Sequence, residues 1–434
     1  NDQDNIMINF IRTNKYPILI SLIFFIILYQ VAFFHHIYWS DFDGIHYFHS
    51  GEQIISGYGA NVKFANSPLG GPVLFSILDL IFEDAFSAMK LLSLMSCTGI
   101  VFISYYVIKN IFDTKVALIG QLFVAFNPVL HISSIEAMNE MFPIVLIILS
   151  LYFVTKKQIK ISHLVIIGLL LGASSLFRLQ ASVVFFSIII FLLIQNKNFQ
   201  TKLFHSSLAG ISFIVSFSPL LIYNQITYGT LVDQNSNLWM LWHAKYKTYD
   251  WFKIMTTSMG TASGIFTDFN LFLKNYFYNL FYHNPNLLFH FSDSARKLTI
   301  FPPLIPFINV ILAIGGLIYC LNVKINRNTA VLAIASFIIT TSLILLLGDL
   351  EIHFFAIIIL PLLIIGISNI KKIQKNLLPL LILPVIYFLV ISIIPLGRAE
   401  HVFPIWISVV LLSSIFFAEV IPKTLSKIIS SRGD

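Results

Sequence analysis

The sequence predicts an all-α polytopic membrane protein of about twelve transmembrane helices, and three observations carry that prediction. Charged residues are 11% of the chain against 57% hydrophobic, with a mean hydropathy of +0.85, too little polar surface to cover a water-soluble globule. Apolar runs on the scale of the 17 to 25 residues that cross a bilayer recur along the chain. The turns between them alternate in charge.

The runs fall near residues 17–35, 88–108, 116–134, 141–155, 162–177, 180–195, 206–224, 301–322, 329–348, 352–369, 377–396 and 402–420. The first is not followed by a small-x-small cleavage site, so it reads as a retained span. Placing the N-terminus in the cytoplasm puts 17 of the 27 basic residues, Lys156, Lys157 and Lys160 among them, in cytoplasmic segments. The opposite face then holds 15 of the 20 acids, for a net charge of about −5 there and about +12 inside. This is the positive-inside pattern. The formal charge of +7 is thus topological and gives no reason to expect a nucleic-acid partner, both termini are expected in the cytoplasm, and chemistry is expected on the outer face. Cys97 and Cys320 sit within apolar runs and read as small core residues.

The organisation expected is a module over 1–224 with a long outer loop at 36–87, an aromatic-rich outer loop at 225–300, and C-terminal helices over 301–434. Within the first loop, "LGGPVLFSILDLIFED" is too short to span and is predicted as a helix at the interface, with Asp79, Glu83 and Asp84 toward water. In the second, Trp239, Trp242, Tyr246, Tyr249 and Trp251 fall within thirteen residues, as an aromatic belt at head-group level or as a platform for a sugar or lipid chain.

The first outer loop reads "YWSDFDGIHYFHSGEQIISGYG". In an extended loop Asp41 and Asp43, two apart, point the same way and are able to share a divalent cation or a sugar hydroxyl. Glu136 and Glu140 open the next outer turn, and they share a side if that turn is helical. Gly168 and Gly172 permit close helix approach, and Arg178 follows at the next outer turn with a forked cation suited to phosphate. Glu351 and His353 end one late span, and Arg398, Glu400 and His401 another.

The spacing Asp43, Tyr47, Gly51, Gly57 resembles the first outer loop of the GT-C superfamily of glycosyltransferases, and more specifically the branch of polyprenyl-phosphate-mannose protein O-mannosyltransferases and lipid A aminoarabinose transferases. The family pattern is acid-acid-x-x-Tyr, a small residue four positions later and a glycine ten after the tyrosine. This chain has Gly44 in place of the second acid, with Asp41 earlier. The resemblance implies a GT-C-like fold in the plasma (inner) membrane of a bacterium or archaeon. It also implies a glycosyltransferase that takes a sugar from a polyprenyl-phosphate carrier and passes it, with inversion, to a protein, lipid or glycan acceptor. Asp43 is then the base, with Asp41 as its alternate or partner. Arg178, Arg398, His401 and His353 would hold the donor phosphate. Tyr47, His46, Glu140, Glu136, Trp239, Trp242, His243 and Glu351 would contact the acceptor or other parts of the substrates. Whether a divalent ion, Mg2+ or Mn2+, is held by Asp41, Asp43 and Glu140 is left open. The alternatives are a multi-span transporter, a flippase of lipid-linked glycans, or a glycan ligase or polymerase. Against a carrier stands the placement of nearly every acid at the ends of spans and not at the midplane.

Overall fold

Helices and the turns that join them account for the computed structural model, which describes residues 12–34, 42–58, 69–138, 140–195, 197–231, 269–288, 304–320, 331, 334–335, 338–339, 342, 374–394 and 399–430, with no strand among them. The chain divides into two units, Asn1–Asp233 with Ser292–Ile305, and Gln234–Phe291 with Pro306–Asp434.

In the first unit, α1 (Lys15–Phe34) buries Pro17, Ser21, Phe24, Leu28 and Ala32, a single stripe at steps of three and four. Its other face, with Leu19, Leu22, Ile23, Ile26 and Ile27, is exposed and mostly apolar, the composition a helix needs against lipid. The amide of Gln121 donates to Pro17 O (2.9 Å) and to the Ser21 hydroxyl (3.1 Å). Between membrane helices such bonds contribute about 0.6 to 2 kcal/mol each.

Next come α2 (Phe42–Gln53), which runs on into a π turn at Ile54–Tyr58, α3 (Gly70–Ile81) and the long α4 (Ala85–Lys109). Asp84 caps α4, accepting from the Ser87 N–H at 3.0 Å and from its hydroxyl at 2.6 Å. These two bonds hold the Asp84 carboxyl below its usual pKa. The expected run at 116–134 is broken: α5 (Thr114–Ala125) and α6 (Pro128–Ile135) meet at 54°. The sequence supplies the cause, because Asn127 accepts from the Val129 N–H at 2.9 Å and Pro128 takes the first helical position, which starts a new helix where the old one stops.

The unit is completed by α7 (Met141–Val154), α8 (Ile161–Ser175), α9 (Gln180–Ile194) and α10 (Phe199–Tyr228). Gly168 and Gly172 lie directly against the backbone of Ala209 and Phe213, with Ser212 and Ser216 alongside. There is no room for a Cβ at either position, and the close approach expected of that pair is what joins α8 to α10.

In the second unit, α11 (Phe269–Tyr278) is tied to α13 (Leu378–Ile391) by the Tyr276 hydroxyl, which donates to Leu389 O at 2.7 Å. The amide of Asn279 reaches Ser392 O at 3.2 Å. The helix α12 (Leu304–Cys320) meets α14 (Phe403–Ile415) where the Ser413 hydroxyl donates to Asn309 O at 2.5 Å. A π turn then leads into α15 (Ile421–Ser430).

Among the described residues, four helices are by length and composition able to cross a membrane: Lys15–Phe34, Ala85–Lys109, Phe199–Thr227 and Phe403–Thr424, or five if the bent α5–α6 pair is one span. Helices also lie at the expected runs near 141–155, 162–177, 180–195, 301–322 and 377–396, as shorter apolar segments. The expected run at 352–369 and most of 329–348 fall outside the described residues.

Candidate active site

Three segments far apart in sequence meet at one end of the first unit: helix α2, the turn from Glu136 to Glu140, and the turn from Leu176 to Arg178. The segment expected as an extended loop is helical from Phe42 onward. That changes the meaning of the motif, since Asp43, Tyr47 and Gly51 stand at i, i+4 and i+8 and so occupy one face of α2. His46 lies on the same helix. Tyr47 is buried in a cluster with Phe75 of α3, Met89 of α4 and Ala137, and the Ser76 hydroxyl of α3 donates to Gly51 O at 3.1 Å.

Gly44 explains the departure from the acid-acid pattern. A Cβ at this position would stand 2.7 Å from the carbonyl oxygen of Ala137, so α2 is seated on the 136–140 turn through a residue without a side chain. The Ser93 hydroxyl of α4 fixes the same turn by donating to Met138 O at 2.5 Å.

The turn itself is not helical. α6 ends at Ile135, with Glu136 extended (φ −92°, ψ 143°), and α7 begins at Met141, so Glu136 and Glu140 do not share a helical face. Glu136 is half-buried and within electrostatic reach of Cys97. Glu140 is buried and ion-paired with Arg178. Arg178 is held by its backbone, whose N–H donates to Ser174 O at 3.0 Å. The turn before it packs on its neighbours: Leu176 O accepts from the Gly70 N–H at 2.8 Å, and Phe177 meets Phe142 edge-on at 5.2 Å. The Glu140–Arg178 pairing went unforeseen, since 38 positions separate the partners and no local pattern announces them.

Of the other expected residues, His401 lies in the second unit, on the 3-10 turn Ala399–Val402 ahead of α14, where its carbonyl accepts from the Tyr387 hydroxyl. Asp41, Trp239, Trp242, His243, Glu351, His353 and Arg398 lie outside the described residues. Among the described residues no three of His, Cys, Asp and Glu gather as a metal site. Glu140, offered for a divalent ion, already has a guanidinium as its partner, and a cation there would have to compete with it.

Residues 66–223 match the family described as dolichyl-phosphate-mannose-protein mannosyltransferase, a segment that begins ahead of α3 and ends in α10. In three dimensions the chain is similar to an oligosaccharyltransferase of Archaeoglobus fulgidus tethered to an acceptor peptide, at a TM-score of 0.50 and 12% identity over 96% of this chain and 50% of that one. It is also similar to the archaeal oligosaccharyltransferase AglB of the same organism in complex with an inhibitory peptide and a dolichol-phosphate (TM-score 0.46, 12% identity, 97% of this chain and 52% of that one). ArnT from Cupriavidus metallidurans bound to undecaprenyl phosphate gives 0.42 and 12%, covering 94% of this chain and 78% of that one. The chain spans about half the length of the archaeal oligosaccharyltransferases. No curated protein matches it in sequence.

Proposed function

From the match of residues 66–223 to the protein mannosyltransferase family and the GT-C-like fold, we propose that the protein is a membrane glycosyltransferase of the GT-C superfamily. It transfers a sugar from a polyprenyl-phosphate donor to an acceptor hydroxyl on the outer face. The observation that carries this reading is the junction of α2 with the turns at Glu140 and Arg178. It sets the helix bearing the expected base against a turn whose carboxylate is paired with a guanidinium suited to phosphate.

In the proposed reaction the acceptor oxygen attacks the anomeric carbon, and the bond from that carbon to the phosphate oxygen breaks. The polyprenyl phosphate leaves with the electron pair. Asp43 takes the acceptor proton, a role that contributes about 10²- to 10⁴-fold when the base is in place. Arg178 stabilises the charge that grows on the phosphate. A single displacement inverts the anomeric centre. No step is routed through a metal ion. The aromatic segment around Trp239, Trp242 and His243 is assigned to the acceptor or the lipid chain.

The test is transfer of label from a panel of radiolabelled polyprenyl-phosphate sugars to extracted acceptors, in membranes that contain the protein. Transfer from at least one donor is expected, and none from any would sink the reading. Sidedness is read in the same cells with an impermeant thiol reagent. His49 and Glu52 are exposed on α2 whereas Ser50 is buried, so Glu52→Cys is the probe, and labelling before lysis is expected.

A further inference from the structure

An acid at the start of a helix ordinarily turns its carboxylate back onto the helix's own free N–H groups. Glu140 does not. It occupies the N-cap position of α7 without a side-chain capping bond, and its carboxylate crosses instead to Arg178, in the turn between α8 and α9. The pair is unequally buried, with 5% of the Glu140 side chain exposed and 17% of Arg178. The carboxylate is therefore almost closed off from any ligand, while the Arg178 side chain keeps more of its surface open. Arginine has five N–H donors in a fixed plane, and a carboxylate occupies two of them at most in a fork-to-fork pair. Three remain.

We infer that Glu140 is a positioning residue. It takes no part in holding acceptor or metal, but clamps one edge of Arg178 so that the opposite edge presents its remaining N–H groups to the phosphate of the lipid-linked donor. The inference deepens the proposed function and rests on its assignment of a phosphate-bearing donor. The backbone supports it on both sides: Arg178 is anchored through its own N–H to Ser174 O and through Leu176 O to Gly70, and the Glu140 turn is anchored through Met138 O to Ser93. Both ends of the ion pair are fixed before a ligand arrives, which is the arrangement that preorganises a cation for a developing charge.

The test is a double-mutant cycle read by binding of undecaprenyl phosphate alone to the full chain in detergent, so that it does not depend on knowing the sugar or the acceptor. Glu140→Gln and Arg178→Gln should each weaken binding about tenfold, the scale of a hydrogen bond to a charged group. The double variant should be no weaker than either single, because Glu140 acts only through Arg178. Losses that add, or a Glu140→Gln variant that binds as the parent does, would overturn the inference. If a glutamine variant does not fold, Glu140→Asp decides: it keeps the charge but withdraws it by one methylene, so a positioning role predicts weaker binding and a merely neutralising role predicts none. Parent protein that fails to bind undecaprenyl phosphate overturns the inference and removes the donor from the proposed function. Parent that binds it but transfers no sugar overturns the function alone, and the cycle still decides the role of Glu140.

Discussion

The two ends of the first unit treat charge in opposite ways. Where α4 and α7 finish, Lys109 lies over the Tyr105 ring at 5.2 Å and Lys156 over Tyr152 at 4.5 Å. The Asn110 amide closes the joint by donating to Tyr152 O at 2.9 Å and to the Thr155 hydroxyl at 3.2 Å. The aromatic rings hold the lysine ammonium groups while Lys109 stays exposed. Where α7 begins, the Glu140 carboxylate is withdrawn from water against Arg178 of the α8–α9 turn. Solvated lysines orient a membrane protein at little cost, whereas a buried ion pair often gives no net stability over apolar residues of similar volume. A chain that buries charge at one end and avoids doing so at the other marks the end where the charge has work other than folding.

Breaking the pair should give the largest effect. Arg178→Ala leaves a buried carboxylate alone and should cost about 3 to 5 kcal/mol, seen as a lowered melting temperature in detergent. Lys109→Ala at the other end should cost no more than about 1 kcal/mol. Equal losses would erase the contrast. Asp43→Asn comes next, with transfer expected to fall about 10²-fold or more, equivalent to about 2.7 kcal/mol, while protein level and polyprenyl-phosphate binding persist. Asp41→Asn should cost less. If Asp41→Asn abolishes transfer and Asp43→Asn does not, the roles are exchanged.

Gly44→Ala forces α2 off the Ala137 carbonyl and should cost about 1 to 3 kcal/mol, together with part of the transfer rate, because it moves the helix that bears Asp43. The smallest effect belongs to Asp84. Its pKa is depressed in the folded protein, first by the Ser87 hydroxyl and then by the Ser87 N–H. Its contribution is therefore present above the unfolded value of about 3.9 and is lost as pH falls through the lower folded one. Asp84→Asn retains a capping side chain and should flatten that acid limb in a series of melts, while Asp84→Ala should cost about 1 kcal/mol at neutral pH.

What was legible in the sequence was what repeats locally. Apolar runs gave the helices, because a membrane helix must satisfy its own backbone and advertises itself by composition alone. Gly168 and Gly172 announced their contact by spacing. The helical character of α2 was hidden by its glycines and aromatics, which read as loop. The break at Asn127–Pro128 stood in plain sight as a turn dipeptide but lay inside an apolar run and was read through. The pairing of Glu140 with Arg178, and the contact of Gly44 with Ala137, join residues from distant segments, and a single sequence carries no periodicity that connects them.

The bend between α5 and α6 leaves neither helix long enough to cross a bilayer by itself. Twelve residues of α5 rise only about 18 Å, well short of the roughly 30 Å of a hydrocarbon core. The chain from Asn127 turns aside into α6, and the protein covers it: Pro128, Val129, Leu130, Ile132 and Ile135 are all buried. Such backbone is tolerated only under protein cover. The turn that ends in Glu140 follows this bent arm and is tied to α4 through Ser93.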